Sequence, residues 1–189
     1  MSEIIQWVRL QIQTKFLLRW TLANALGWSL GLFAGALALR LLGGLGGLLV
    51  GGALAGAVAG GTQNAALRQE VAWIDRRWVL VSAAGAALGV LPAFVAGVSL
   101  IAGWMIGLLI VGAVFGAIFG MGQWLVLRSH VHDAAWWIAA NGLAAALCAL
   151  LSLGANPFSL PILLTLGPLT FGLVTGYALR RLQADDRKK

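Results

Sequence analysis

Six apolar stretches, each close to or above twenty residues, take up most of this chain, and none of them contains a charged residue. They run roughly Trp20–Leu39, Leu45–Leu67, Trp78–Gly97, Ile101–Leu127, Trp136–Gly154 and Leu160–Leu179. About twenty apolar residues suffice for a helix to cross the hydrocarbon core of a bilayer. The runs show no period-2 alternation of the kind a lipid-facing barrel strand carries, and a helix satisfies its own backbone in lipid. The expected fold class is therefore all-α integral membrane, a six-transmembrane-helix bundle. Composition agrees: 60% of residues are hydrophobic and 10% charged, where soluble domains carry about a quarter charged. With a mean hydropathy of +0.91, too little polar surface remains to coat a soluble globule.

Three segments follow from this pattern: 1–16, a cytoplasmic or interfacial amphipathic N-terminal segment; 17–181, a single six-helix membrane domain; and 182–189, a charged cytoplasmic tail. In the first, Ile4, Val8, Ile12 and Phe16 share a stripe that Lys15 interrupts. It reads either as an interfacial helix or as an extension of the first membrane helix. Ala36-Leu37-Ala38 resembles a signal-peptidase site, but the apolar run before it is longer than a signal core, so the segment is expected to be retained.

The net charge of +7 does not point to nucleic acid, because the basic residues stand at the ends of apolar segments. Of the 13, only Arg40 falls on one side; Arg9, Lys15, Arg19, Arg68, Arg76, Arg77, Arg128, Arg180, Arg181, Arg187, Lys188 and Lys189 fall on the other. The positive-inside rule then places both termini in the cytoplasm, as six crossings require; the expected location is a bacterial inner membrane. Anionic lipid headgroups on the cytoplasmic side are the expected partners of these cations. The outer connections (Gly43-Gly44, Val98-Ser99 and Ala155-Asn156-Pro157) are too short for a receptor domain.

An internal repeat is visible. Gly52, Gly56, Gly60, Gln63, Leu67 and Arg68 recur 60 residues later as Gly112, Gly116, Gly120, Gln123, Leu127 and Arg128. Gly172, Gly176, Leu179 and Arg180 form a looser third version with Thr175 in place of the glutamine. Trp20 with Asn24, Trp78 with Ser82 and Trp137 with Asn141 open the odd helices at the same four-residue spacing. Three parallel helical-hairpin repeats are expected, 17–68, 76–128 and 135–181. The string Gln123-Trp124-Leu125-Val126-Leu127-Arg128 followed by Ala135-Trp136-Trp137-Ile138 resembles an uncharacterised family of bacterial polytopic membrane proteins. That resemblance spans roughly residues 17 to 181 and implies repeated Gly-rich helices that end in Gln-Trp-x-x-Leu-Arg and return through a Trp-led helix. It implies no activity.

Gly27, Gly31 and Gly35, Gly52, Gly56 and Gly60, and Gly112, Gly116 and Gly120 each fall on one helix face. They read as helix-packing faces, with a permeation seam or a lipophilic ligand as the alternative. Asn24, Gln63, Ser82, Gln123 and Asn141 lie at one depth, about a turn inside the cytoplasmic boundary. They form an interhelical polar layer or a cradle for a headgroup or solute. The tryptophans read as an interfacial aromatic belt, with pigment stacking as the rival. His130-Val131-His132-Asp133 reads as a loop rather than a metal or tetrapyrrole ligand set, and Cys148, the single cysteine, as a packing residue.

Glu3, Glu70, Asp75, Asp133, Asp185 and Asp186 all fall outside the apolar runs, so no buried carboxylate marks a proton relay. No phosphate-binding glycine motif is present, and no apolar segment holds a paired acid and base. No cofactor or metal is expected. The expected function is that of a non-enzymatic scaffold or accessory subunit, packing through Gly-rich faces against its own copies or another membrane protein. The alternative is binding or transport of a small solute or lipophile, or of a pigment or haem. The topology predicts that single cysteines at positions 43, 99 and 156, in a Cys148→Ala background, react with an impermeant label from outside, while position 189 reacts only after rupture. The reverse pattern overturns the orientation.

Overall fold

The computed structural model describes residues 2–99, 104–151 and 160–186, with side chains described for 14–92, 94–95, 106–151 and 165–182. Six helices follow in chain order: α1 (Ser2–Leu42), α2 (Gly44–Leu67), α3 (Arg77–Ser99), α4 (Trp104–Leu127), α5 (Trp136–Leu151) and α6 (Leu160–Asp186). Three of them are long and apolar enough to cross a membrane, over Thr14–Leu42, Gly44–Leu67 and Ile106–Leu127. α1 runs unbroken through the N-terminal segment, so the expected boundary near residue 16 is a point inside one 41-residue helix. α6 likewise continues to Asp186, past its expected end at Leu179 and into the segment read as a tail. The expected connection at Ala155-Asn156-Pro157 and the side chains of Ile4, Val8 and Ile12 lie outside the described residues.

Each helix packs on its neighbours in sequence, and α6 closes against α1, which makes a ring. Neighbours are antiparallel: Gly27, Gly31 and Gly35 of α1 meet Ala59, Ala55 and Gly51 of α2 in descending order. The α1–α2 reversal is reduced to Gly43 and Gly44, both at positive φ (64° and 51°), a conformation glycine reaches without strain. Both termini, the α2–α3 connection and the α4–α5 connection share one end, called the terminal end below.

The glycines draw the ring tight. A Cβ built on Gly35 falls 2.7 Å from the Gly51 carbonyl oxygen, and one on Gly112 falls 2.6 Å from that of Ala145. On Gly56 and Gly116 it overlaps the carbonyl oxygens of Ser82 and Asn141, and lies 2.6 Å from Ala86 Cβ and Ala145 Cβ. At Gly60 and Gly120 it meets Ser82 Cβ and Asn141 Cβ at 2.6 and 2.8 Å. These contacts are with backbone or with Cβ atoms fixed to it, which cannot swing aside. The glycine faces are thus consumed between helices of one chain. Large apolar side chains point the other way: Leu18, Leu22, Leu26, Leu30, Phe33, Leu37 and Leu41 form an exposed ridge along α1.

Alanine itself is too large at the closest positions. Gly56→Ala and Gly116→Ala are expected to destabilise by about 1–3 kcal/mol, because the backbones must part. Gly61→Ala, where a Cβ meets nothing within 4 Å, should be neutral or slightly stabilising through helix propensity. Melting curves in detergent check the contrast; equal effects at positions 56 and 61 refute it.

Candidate functional site

The residues singled out for their polarity converge. Asn24, Gln63, Ser82, Gln123 and Asn141 are all fully buried, in a bundle whose exterior is apolar. Each sits one residue type and one turn away from a glycine or tryptophan that fixes its height, so α1, α2, α3, α4 and α5 deliver them to one layer.

The layer is a connected hydrogen-bond network. Gln63 Nε2 donates to Asn24 Oδ1 at 2.8 Å. Gln123 Nε2 donates to both Gln63 Oε1 (2.7 Å) and Ser82 Oγ (2.9 Å). Asn24 and Asn141 turn their amide nitrogens to the carbonyls of Trp20 and Trp137 in their own helices, at 2.9 and 2.8 Å.

Tryptophan completes it, which corrects the interfacial-belt reading. Trp20, Trp78 and Trp137 are fully buried, and Trp28 nearly so. Trp78 Nε1 donates to Gln63 Oε1 (3.2 Å), Trp137 Nε1 to Gln123 Oε1 (3.0 Å) and Trp20 Nε1 to Thr175 Oγ1 (3.0 Å). The same relation occurs three times: an indole from an odd helix donates to the polar side chain of the preceding even helix, with α1 following α6. The sequence held a signal for this, since each of these tryptophans stands four residues before the polar residue of its helix. A buried indole N–H needs an acceptor. Trp136, by contrast, is 70% exposed and keeps the surface position expected of it.

Around this layer the terminal end is packed shut. Trp20 and Trp78 each stack obliquely on Trp137, with ring centroids 6.1 and 6.2 Å apart. Phe16, Leu67, Ile74, Leu127, Leu179 and Leu182 lie over them as one cluster. The two connections are ordered by local contacts: Asn64 Nδ2 donates to the Asp75 carbonyl, and Trp73 stacks on His130 at 4.2 Å. Glu70 lies 4.0 Å from Arg19 and 3.8 Å from Arg180, tying α1, α6 and the α2–α3 connection together. His130 thus has a ring partner, and His132 pairs with Asp133 at 3.2 Å on the surface.

On the other side of the polar layer, Trp28 packs on Phe115, Phe119 and Phe171, with centroids 5.0–5.9 Å away. The described residues leave the ring unfilled beyond this aromatic layer. Two apolar cavities of about 260 Å³ each adjoin there and share Trp28, Leu32 and Phe115. Cys148 borders one of them and donates its thiol to the Gly167 carbonyl at 2.9 Å.

The threefold relation is broken at α6. Thr175 donates to its own helix, to the Phe171 carbonyl at 2.7 Å, and has no amide to offer Asn141. Asn141 Oδ1 is accordingly buried without a hydrogen-bond partner among the described residues, whereas the matching oxygen of Asn24 is bonded by Gln63.

Comparison with known protein families, with curated proteins and with solved structures finds no match to this chain. The geometry therefore has to carry the functional argument alone. Chemically, the layer offers amides, hydroxyls and indoles bonded within the layer except at Asn141 Oδ1, and neither Ser82 nor Thr175 has a general base beside its hydroxyl.

Asn24 and Asn141 occupy matching places with different bonding, which makes them a controlled pair. Asn24→Leu leaves Gln63 Nε2 without its acceptor and should cost about 1–3 kcal/mol. Asn141→Leu removes an oxygen that has no partner and should cost less than half as much. Thr175→Gln supplies the absent amide, between Trp20 Nε1 and Asn141 Oδ1, and should raise the melting temperature. Equal losses for the two asparagine variants, together with a lower melting temperature for Thr175→Gln, overturn this reading of the network.

Proposed function

We propose that the chain is a multi-pass membrane protein in which all six helices cross the bilayer as three hairpin repeats, with both termini on the cytoplasmic side of an inner membrane. One observation carries this: the polarity of the molecule is reversed. Its buried layer is built of amides and small residues, while its exposed surface carries the α1 ridge, Phe94, Val95 and Ile106, and Leu125, Leu173 and Tyr177. In water that surface would be costly, since a soluble monomer rarely exposes an apolar patch beyond a few hundred Å². In lipid it is the natural exterior, and a buried polar layer then serves as interhelical glue. The exposed cations Lys15, Arg68 and Arg128 at the terminal end suit the anionic headgroups of a cytoplasmic leaflet.

Within that setting we read the protein as non-enzymatic, an accessory or scaffold component. Its hydrogen-bonding groups face one another and leave little for a reacting substrate. The expectation that Gly-rich faces recruit partners changes, because those faces already close the ring. A second copy or another membrane protein meets instead the outward Leu and Phe ridges and the ordered connections at the terminal end.

Two measurements test this. Membranes washed at alkaline pH should retain the protein, and native mass spectrometry from mild detergent should find more than one polypeptide per complex. Release by the wash overturns the membrane reading. A protein that stays in the membrane but is always a lone chain overturns the scaffold reading only.

A further inference from the structure

We infer that the lumen beyond the aromatic layer binds one hydrocarbon chain of a membrane lipid, a site that rests on the membrane reading above. The shape of the space is the first argument. One lobe follows α1 from Trp28 to Leu39, a rise of about 16 Å, and α2 from Ala55 back to Gly47, about 12 Å. It is a slot rather than a sphere. Gly35, Gly47, Gly51 and Gly52 line it with backbone alone, since a Cβ on any of them would meet a neighbouring helix.

The wall is the second argument. No charged residue lines either lobe. The Cys148 thiol is committed to the Gly167 carbonyl, which leaves the buried Trp28 indole N–H, without a partner among the described residues, as the one polar group at the inner end. A single donor cannot hold an ion, a sugar or a charged headgroup out of water, whereas a methylene chain needs nothing more than the apolar wall.

Accessibility and size complete the case. Leu32 and Leu39 line the slot yet remain 44% and 42% exposed, so the space is open to an entering chain. Trp28 and Phe115 border its inner end. Each lobe, at about 260 Å³, exceeds the ~150 Å³ apolar cavity that stays dry and takes up benzene, and the two adjoin at Trp28, Leu32 and Phe115. Trp28 stands four residues after Asn24, where Ala86 and Ala145 follow Ser82 and Asn141. One large ring thus floors the lumen that three alanines would leave continuous.

The test is to purify the protein in mild detergent and weigh it by native mass spectrometry, with organic extraction to identify what it holds. Wild type and Leu30→Phe, which enlarges the outward ridge, should each retain one lipid per chain. Ala36→Phe combined with Val90→Phe fills the slot and should lose that lipid with melting unchanged or raised. A phospholipid and an isoprenoid both supply the chain, and their masses separate them. If the double variant does not fold, Val90→Phe and Ala149→Phe singly, one for each lobe, should each reduce the retained lipid. A wild type that holds no lipid overturns the inference, as does a filled variant that holds as much as wild type. The alkaline wash keeps the failures apart: protein that stays in membranes but carries no lipid refutes the lumen site alone.

Discussion

The bond between a buried indole and a buried amide sets the register of this molecule. A tryptophan N–H taken out of water seeks an acceptor, and Trp20, Trp78 and Trp137 each find one on the neighbouring helix. Trp78 with Gln63 joins α3 to α2, Trp137 with Gln123 joins α5 to α4, and Trp20 with Thr175 joins α1 to α6. Apolar contacts between helices tolerate sliding, since leucine packs on leucine at several registers. A directional bond at about 3 Å does not. The glycines act in the same sense from the opposite cause: where Gly35 meets Gly51, the backbones are so close that only one height brings them together. The network specifies the ring, and the glycines let it close.

That division of labour explains where the pattern is broken. Thr175 keeps the part of the glutamine's role that closes the ring, accepting from Trp20, and drops the part that would bond Asn141. Closure is therefore retained at the cost of one unpaired oxygen. The second departure is Trp28, which fills the centre of the next layer against Phe115, Phe119 and Phe171. An aromatic on three sides of the axis leaves no room for a threefold-symmetric lumen. The two cavities beyond it accordingly differ, one a slot along α1 and α2, the other a shorter space among α1, α4, α5 and α6.

Much of this was legible in the residues. The apolar run lengths located six helices to within a few residues at most ends, and the coincidence of Gln63 with Gln123 and of Asn24 with Asn141 put the polar layer at one depth. What escaped were properties that depend on neighbours. A tryptophan near a helix end reads the same whether it faces headgroups or the core; burial of Trp20, Trp78 and Trp137 follows only once α6 is seen to close on α1. The end of α1 escaped for a similar reason. Lys15 interrupts the apolar stripe, which suggests a break, yet nothing in Gln11–Leu18 is a helix breaker, and the backbone continues. The severity of the glycine contacts was also invisible, because spacing shows that a face is small but not how near its neighbour comes.

The arrangement of layers along the axis bears on what such a molecule can do. From the terminal end inward come an apolar cluster, three indoles, a hydrogen-bonded amide layer, an aromatic layer and then open apolar space. A water-filled path needs polar groups with spare bonding capacity along its length. The amides here are bonded to side chains and backbone of the layer itself, apart from Asn141 Oδ1, and the open space has a wall that water does not wet. Any occupant of that space therefore enters and leaves on the same side of the aromatic floor.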